Sequence, residues 1–273
     1  MISIVIPTLN EATYLPKLLL SIEKQTYTDY EIIVADANSS DGTQEIAKKF
    51  GCKLVKGGMP AVGRNAGAAA AKGKYLLFLD ADVLLPEDCL EKFLAEFDKK
   101  YYQITTTTIY PLSSMNLDHL FYFFTNLLHT STKKFYPYIP GFCILTTNRL
   151  HRRLGGFDEK IVLYEDNDYV YRAIKFGKYG ICTTTNIWVS VRRLEKEGRL
   201  NLVHKYNLAN IYRIFNKKIY DDVVEYEFGK FENAKDLSKL EEKLEHLLGT
   251  FDRWKDDYKR FVEKIREQQD KEK

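Results

Sequence analysis

The chain has 273 residues, of which 45% are hydrophobic and 29% charged, and its formal net charge is +3 at pH 7. This length can bury a substantial core, and so small a charge argues against a nucleic-acid-binding protein. No uncharged stretch approaches the roughly 20 residues that cross a bilayer, and a strand is predicted to begin at Ile2, so we expect no signal peptide. The four cysteines are scattered without metal-ligand spacing and indicate reduced core residues of a cytoplasmic protein.

Strands and helices alternate along the first 82 residues. Short β-branched or apolar runs predict strands, and the longer periodic segments between them predict helices. The alternation, with its short connections, predicts an α/β fold with a mostly parallel sheet flanked by helices. The predicted strands are 2–7, 31–36, 52–56 and 74–82, and the predicted helices are 11–25, 43–50 and 61–71.

Polar side chains follow three of these strands, at the edge where open α/β sheets bind ligands. The most informative are Asp80 and Asp82, because two carboxylates one residue apart at a strand end can share a hard divalent cation and so hold a diphosphate. A strand that simply ends in solvated acids is the alternative. For residues 40–43, a turn and a helix cap are the simpler interpretation.

The order of the motifs resembles inverting glycosyltransferases of family 2, which have the GT-A (Rossmann-like) fold. The nucleotide-sugar half is similar in residues 4–11 (IVIPTLNE), 32–36 (IIVAD), 41–43 (DGT), 63–67 (GRNAG) and 79–82 (LDAD). The acceptor half is similar in residues 155–159 (GGFDE) and 165–168 (EDND), so the resemblance spans about residues 1–195. Ala37 stands where the family often has a second acid. No Gln-x-x-Arg-Trp follows, which argues against a processive polysaccharide synthase.

The resemblance implies a nucleoside-diphosphate-sugar donor and an Mg²⁺ or Mn²⁺ cofactor. Asp36 would accept a hydrogen bond from the base, which makes a UDP- or GDP-linked donor plausible. Arg64 would face the base or the diphosphate, unless it is an exposed helix arginine. Asp80 would contact ribose or metal, and Asp82 would ligate the metal. The residues implied to line the base and ribose pocket are Pro7, Thr8, Asn10 and Glu11.

The acidic run at residues 165–168 precedes a helix predicted over 169–176. Acids at a helix start are ordinary caps, but the resemblance implies that Asp166 is the general base that deprotonates the acceptor. Asp168 and Arg172 are four residues apart and would pair on one helical face. With Glu165, they would support the acceptor side.

The chain divides into a predicted catalytic domain and two C-terminal segments. The catalytic domain is 1–195, with a nucleotide-sugar half (1–82) and an acceptor half (83–195). Within it, the apolar residues 117–128 are either a core helix or a hydrophobic lip beside the acceptor site.

A basic amphipathic segment is predicted over 196–228, as part of a basic stretch that begins at Arg192. The stretch would bind the inner face of the cell membrane, as a peripheral protein does, or dock on the catalytic domain. Alternatively, Arg192 and Arg193 would reach over the donor diphosphate.

A heptad helix is predicted over 229–273, because apolar residues recur at spacings of three and four from Leu237 to Ile265. It would associate with a second copy or fold back onto its own chain. The function expected from the whole sequence is transfer of a sugar to a hydroxyl or phosphate, on a lipid-linked or surface-glycan precursor. The alternative is a non-catalytic protein that binds nucleotide sugars.

Overall fold

A computed structural model describes residues 1–133, 137, 139–202, 241–242 and 244–246. The predicted basic segment is therefore described only to residue 202. Most of the predicted heptad helix also lies outside the described residues.

Eight strands and eight α-helices are present in the described residues up to 202. The strands are β1 (Ile2–Thr8), β2 (Tyr30–Asp36), β3 (Lys53–Lys56), β4 (Tyr75–Leu79), β5 (Val83–Leu84), β6 (Tyr102–Leu112), β7 (Cys143–Thr147) and β8 (Lys178–Ser190). The helices are α1 (Leu15–Glu23), α2 (Thr43–Lys49), α3 (Pro60–Ala70), α4 (Cys89–Lys99), α5 (Asn116–Thr132), α6 (Asn148–Leu154), α7 (Glu165–Ala173) and α8 (Arg192–Glu197).

All eight strands form one sheet in the order β3-β2-β1-β4-β7-β6-β8-β5. The four N-terminal strands are parallel, as the alternation of strands and helices predicts. Beyond them the sheet is mixed, because β7 is antiparallel to both β4 and β6, and the short β5 is antiparallel to β8. The strands β6 and β8 are again parallel to each other, so parallel pairing occurs on both sides of β7. The α/β fold class is confirmed.

Two apolar cores cover the two faces of the sheet. One contains buried residues of α1 and α4, and the other contains buried residues of α3, α6 and α7. The helix α3 lies close to β1, since a Cβ atom at Gly67 would be 2.2 Å from Val5 Cγ1. Only glycine permits so close an approach. The close packing of α3 on β1 brings Arg64 and Asn65, one turn before Gly67, to the carboxyl edge of the sheet.

Several boundaries differ from the predicted ones in ways that affect the site. β4 ends at Leu79, so Asp80 and Asp82 lie in the connection after the strand rather than in it. α7 begins at Glu165, four residues before the predicted start, because the acids occupy its first turn. α1 begins at Leu15 rather than at residue 11, which leaves Glu11 in the loop after β1.

The helix α5 packs on β6 with polar residues turned inward. Asp118, Asn126 and His129 are buried, whereas Phe124 and Leu128 are 55% and 56% exposed. The buried side chains find backbone and ionic partners: Asn126 donates to Ile109 O (2.8 Å), and Asp118 pairs with Arg199 (2.6 Å). The segment 117–128 is therefore a helix of the domain whose apolar side chains are partly exposed. Within the described residues, no helix is both long and apolar enough to cross a bilayer.

The described residues of the C-terminal segment contact the start of α5. The carboxylate of Glu245 accepts hydrogen bonds of 2.8 Å from the backbone N–H groups of Asn116 and Leu117. Glu241, one turn earlier, accepts a hydrogen bond of 3.1 Å from the N–H of Leu200. At this point the segment lies against its own catalytic domain.

Candidate functional site

The loops after β1 and β2 are joined through the carboxylate of Asp36. This buried carboxylate accepts hydrogen bonds from Thr8 Oγ1 (3.0 Å), Gln44 Nε2 (2.7 Å) and both the N–H (2.9 Å) and the hydroxyl (2.6 Å) of Ser39. Pro7 pairs with Ala35 on the adjacent strand, so it also lies at this edge. In the structure the carboxylate of Asp36 is held by four donors of its own chain.

Asn10 and Glu11 are positioned by the loop that precedes α2. Asn10 adopts a left-handed backbone (φ 55°), and its backbone N–H donates to Ser39 Oγ at 2.8 Å. The backbone N–H of Glu11 donates to Thr43 Oγ1 at 2.8 Å. Residues 40–43, predicted as a turn and a helix cap, lead into α2, but Gly42 occupies the N-cap and no side chain caps the helix there. Asp41 Oδ1 accepts from the N–H and the hydroxyl of Thr43, and Thr43 in turn fixes the loop that carries Glu11.

Arg64 lies at the centre of the site and is 3% exposed. Its Nη2 donates to Asp80 Oδ1 at 3.0 Å and to Gly141 O at 3.2 Å, and its Nη1 donates to Glu165 Oε1 at 2.6 Å. Burial lowers the pKa of Arg64, but the carboxylates of Asp80 and Glu165 outweigh that effect and raise the pKa. The side chain is therefore a buried cation that joins the nucleotide-sugar half to the acceptor half.

Asp166 lies next to this cation, in the first turn of α7. Its Oδ1 accepts hydrogen bonds from the N–H (2.7 Å) and side-chain amide (2.8 Å) of Asn167. Burial and the neighbouring Glu165 raise the pKa of Asp166 to about 8, against the opposing effects of Arg64 and Asn167. A Cβ atom at Gly141 would lie 2.9 Å from Asp166 Oδ2, so a larger residue there would make the carboxylate shift.

A second arginine occupies the other side of the acidic pair. Arg192 donates to both carboxylate oxygens of Glu11 at 2.6 and 2.7 Å, and its Nε lies 3.0 Å from Asp82 Oδ2. The guanidinium lies over the ring of Tyr14, 4.4 Å from its centroid. Burial raises the pKa of Asp82 to about 7, and the Asp80 and Glu11 carboxylates add to this although Arg192 opposes it. Burial thus disfavours the charged form of Asp82, and Arg192 offsets this only in part.

The acceptor-side segment is fastened to the donor half by Asn65. Its side chain donates to Phe157 O (2.9 Å) and Glu159 Oε1 (2.8 Å) and accepts from the N–H of Phe157 (2.8 Å). Arg172 pairs with Asp168 at 2.7 Å, as their spacing predicts, and donates to the carbonyl oxygens of Leu154 and Gly156. Asp168 and Arg172 thus brace residues 154–156.

The structure brings most of the predicted residues together but separates Arg193 from Arg192. Arg193 Nε donates to Glu197 at 2.6 Å, one turn along α8, whereas Arg192 reaches Asp82. Tyr14, Asn65 and Gly141 also contribute to the site and were missed in the sequence. Of these three, only Asn65 lies in a motif identified from the sequence, GRNAG at residues 63–67, and it could have been predicted as a site residue from that motif.

The carboxylates of Asp80 and Asp82 suit a divalent cation that also binds phosphate. Within the part of the chain that the structure describes, no three acidic, histidine or cysteine side chains converge into a closed metal cage. Mg²⁺ and similar cations often bind through one or two carboxylates together with substrate phosphates. Burial raises the pKa of both Asp80 and Asp82, and a cation bound there would favour their charged forms.

Comparisons with known proteins identify the family and the fold. The family model "Glycosyl transferase family 2" matches residues 3–154. The poly(ribitol-phosphate) beta-N-acetylglucosaminyltransferase TarS of Staphylococcus aureus is 30% identical over 112 residues, which are 37% of this chain and 20% of that protein. The chain thus matches about one fifth of the length of this curated relative.

Two solved structures share the fold. Residues 1–349 of S. aureus TarS, in complex with UDP-GlcNAc, align over 69% of this chain and 58% of that one, with a TM-score of 0.57 and 20% identity. The mannosyltransferase PcManGT from Pyrobaculum calidifontis, in complex with GDP-Man and Mn²⁺, aligns over 70% and 56%, with a TM-score of 0.59 and 22% identity. The family match covers more than half of the chain, and the chain therefore belongs to glycosyltransferase family 2, with the GT-A fold.

Proposed function

We propose that the protein is a metal-dependent inverting glycosyltransferase that moves a sugar from a UDP- or GDP-linked donor to an acceptor hydroxyl or phosphate. The observation that carries the proposal is the buried Arg64, which joins Asp80 on the donor side to Glu165 beside Asp166. The guanidinium of Arg64 would thus hold the donor side and the acceptor side of the site in one arrangement. The relatives support the reaction class, since TarS is named as an N-acetylglucosaminyltransferase and PcManGT as a mannosyltransferase.

The donor would bind along the loops after β1, β2 and β4. Asp36 would select a base that presents an N–H, and Pro7, Thr8, Asn10 and Glu11 would line the base and ribose pocket. Asp82 and Asp80 would hold Mg²⁺ or Mn²⁺, which when bound neutralises the charge of the diphosphate leaving group. Arg192 lies close enough to these acids to contact the same diphosphate.

Asp166 would act as the general base. Its side chain lies at the start of α7, and its raised pKa makes it a better proton acceptor than an ordinary aspartate. Glu165 and Arg64 hold this region in place, and the pair of Asp168 with Arg172 braces it against residues 154–156. The oxygen of the acceptor would attack the anomeric carbon as its proton passes to Asp166 and as the bond from that carbon to the diphosphate oxygen breaks. The nucleoside diphosphate would leave from the opposite face, so the configuration would be inverted.

The test is transfer of a radiolabelled sugar from UDP- and GDP-linked donors, with Mn²⁺ or with EDTA. Thermal stabilisation by each nucleotide selects the donor beforehand, because a ligand of the native state raises its stability. Metal-dependent transfer or hydrolysis supports the proposal. Metal-dependent binding without turnover on any donor and acceptor tried would favour the alternative, a non-catalytic nucleotide-sugar-binding protein. Asp80, Asp82 and Asp166 are present together, which argues against that alternative.

The acceptor proposed is a lipid-linked or surface-glycan precursor at the inner face of the cell membrane. The partly exposed apolar side chains of α5, Phe124 and Leu128 among them, support contact with lipid. Sedimentation with anionic vesicles at low and high salt tests it, since attraction between exposed charges and lipid weakens as salt rises. Absence of sedimentation at low salt would favour an acceptor free in solution.

A further inference from the structure

Arg192 makes four contacts that together keep it on the acidic cluster. Both of its terminal nitrogens donate to Glu11, at 2.6 and 2.7 Å, and its Nε lies 3.0 Å from Asp82 Oδ2. The face of its guanidinium covers the ring of Tyr14 at 4.4 Å. The three side chains that form the ion pairs are 12–18% exposed, so water screens these pairs only in part.

The position of Arg192 conflicts with a metal ion at Asp82. The guanidinium and a divalent cation both carry positive charge, and both use the same carboxylate of Asp82. A cation that arrives alone must displace Arg192 and leave its charge without a partner in a partly buried place. A cation that arrives with a diphosphate brings a new partner, because a guanidinium binds phosphate oxygens in the same forked geometry as carboxylate oxygens.

We propose that Arg192 is a positioning residue that occupies the metal site of the free protein and passes to the donor diphosphate when the cation binds Asp82. This inference rests on the proposed role of Asp82 in metal binding. Its consequence is that the cation binds weakly by itself and tightly with the nucleotide. The exchange requires no movement of the sheet, since Arg192 is the first residue of α8, directly after β8 and Val191.

A substitution of Tyr14 distinguishes this proposal from a simple effect of net charge on cation binding. Removing the charge of Arg192 would favour any cation nearby, whether or not the guanidinium occupies the site. Replacing Tyr14 changes no charge, but it removes the ring that holds the guanidinium, and such a contact is worth a factor of roughly two to five in affinity. Lys17 provides the matched control, because its Nζ is also near this ring, at 5.8 Å.

The experiment is a calorimetric titration of Mn²⁺ into the full chain without nucleotide, repeated with saturating UDP. We expect Arg192→Gln to bind Mn²⁺ alone about fivefold or more tightly than wild type, within the usual range of couplings between sites. Tyr14→Leu should bind it about two- to fivefold more tightly, whereas Lys17→Gln should stay within about twofold of wild type. UDP should improve Mn²⁺ affinity less in Arg192→Gln than in wild type.

Circular dichroism and melting of each variant confirm that it is folded before the titration is interpreted. The proposal is overturned if folded Arg192→Gln and Tyr14→Leu bind Mn²⁺ no more tightly than wild type, or if Lys17→Gln gains as much as Arg192→Gln. It is also overturned if wild type binds Mn²⁺ equally well with and without UDP. The readout is binding, so absence of sugar transfer in a protein that shows the exchange would count against the proposed function and not against this inference.

Discussion

Arg64 Nη1 donates a hydrogen bond of 2.6 Å to Glu165 Oε1, across 101 residues of sequence. The same guanidinium holds Asp80 at 3.0 Å, so the donor acids and the base segment share one buried cation. A buried charge of this kind is stable only while its partners remain, because an unpaired ion in a protein interior loses its hydration without compensation. The arrangement makes the two halves of the site structurally interdependent.

Replacing Arg64 should therefore lower the stability of the folded protein, by an amount that depends on whether Glu165 is present. Arg64→Met leaves Glu165 and Asp80 without their cation, and we expect the free energy of unfolding to fall by about 3 kcal/mol or more. Adding Glu165→Gln should restore part of the loss, since it removes one stranded charge. Urea unfolding of the two single variants and the double variant measures the coupling, and strict additivity would show that the two side chains act independently.

Asp166→Asn should lower turnover by about two orders of magnitude or more while donor binding stays near wild type. The substitution removes the proton acceptor but leaves the donor loops unchanged. Steady-state rates and UDP binding measure the two effects separately. Asp168→Asn is the comparison, because Asp168 pairs with Arg172 rather than facing Arg64. A greater loss of turnover in Asp168→Asn would transfer the role of base to that residue.

Asp82→Asn should weaken Mn²⁺-dependent binding of a nucleoside diphosphate and leave the fold intact. A hard cation loses a charged oxygen, whereas the volume of the side chain is retained. Titration of UDP with and without Mn²⁺ measures the metal-dependent part. Metal-dependent binding equal to that of wild type, in a folded variant, would remove Asp82 from the proposed ligands.

The stability of the protein should decrease as pH rises from about 5 to about 8. The folded-state pKa of Asp166 is raised to about 8 and that of Asp82 to about 7, whereas an unfolded aspartate titrates near 4. Between these values the folded protein keeps protons that the unfolded chain has lost, so a rise in pH favours unfolding. Melting temperatures from pH 5 to pH 9 without metal test this. Asp166→Asn should show a smaller decrease, and an unchanged pH profile would contradict the raised pKa.

Glu245→Ala should destabilise the catalytic domain by about 1 kcal/mol, the usual loss when a side chain that accepts from a helix N-terminus is removed. Glu245 accepts from the first N–H groups of α5, where a negative charge also complements the helix dipole. Glu242 is exposed and provides the control, since Glu242→Ala should have little effect. Equal melting temperatures for Glu245→Ala and wild type would show that the contact contributes nothing measurable.

Self-association through the predicted heptad helix remains a separate prediction. Glu241 and Glu245 contact their own domain, which supports the alternative that the helix folds back at this point. Light scattering of the full chain and of a truncation after Gly229 decides between the two. A dimer that becomes a monomer on truncation would support association, whereas a full chain that is monomeric at micromolar concentration would favour folding back.

The sequence alone was sufficient for the α/β class and for the family, because both depend on local patterns. Alternating runs specify parallel strands, and the ends of such strands meet at one edge whatever the details of packing. The position of Asp36, Asp80 and Asp82 at that edge follows from their places, Asp36 as the last residue of β2 and the other two directly after β4. The pairing of Asp168 with Arg172 also follows from spacing alone, since both lie on one face of α7.

The tertiary structure decided the partners that are distant in the chain. Nothing local indicates that Arg64 would be buried against Glu165, or that Arg192 and not Arg193 would reach Glu11 and Asp82. These contacts depend on β7 inserting antiparallel beside β4 and on β8 ending next to the loop after β4. Sequence periodicity predicts which face of a helix or strand is buried. It does not predict which charged side chain a buried arginine pairs with, because these partners lie a hundred or more residues away in the chain.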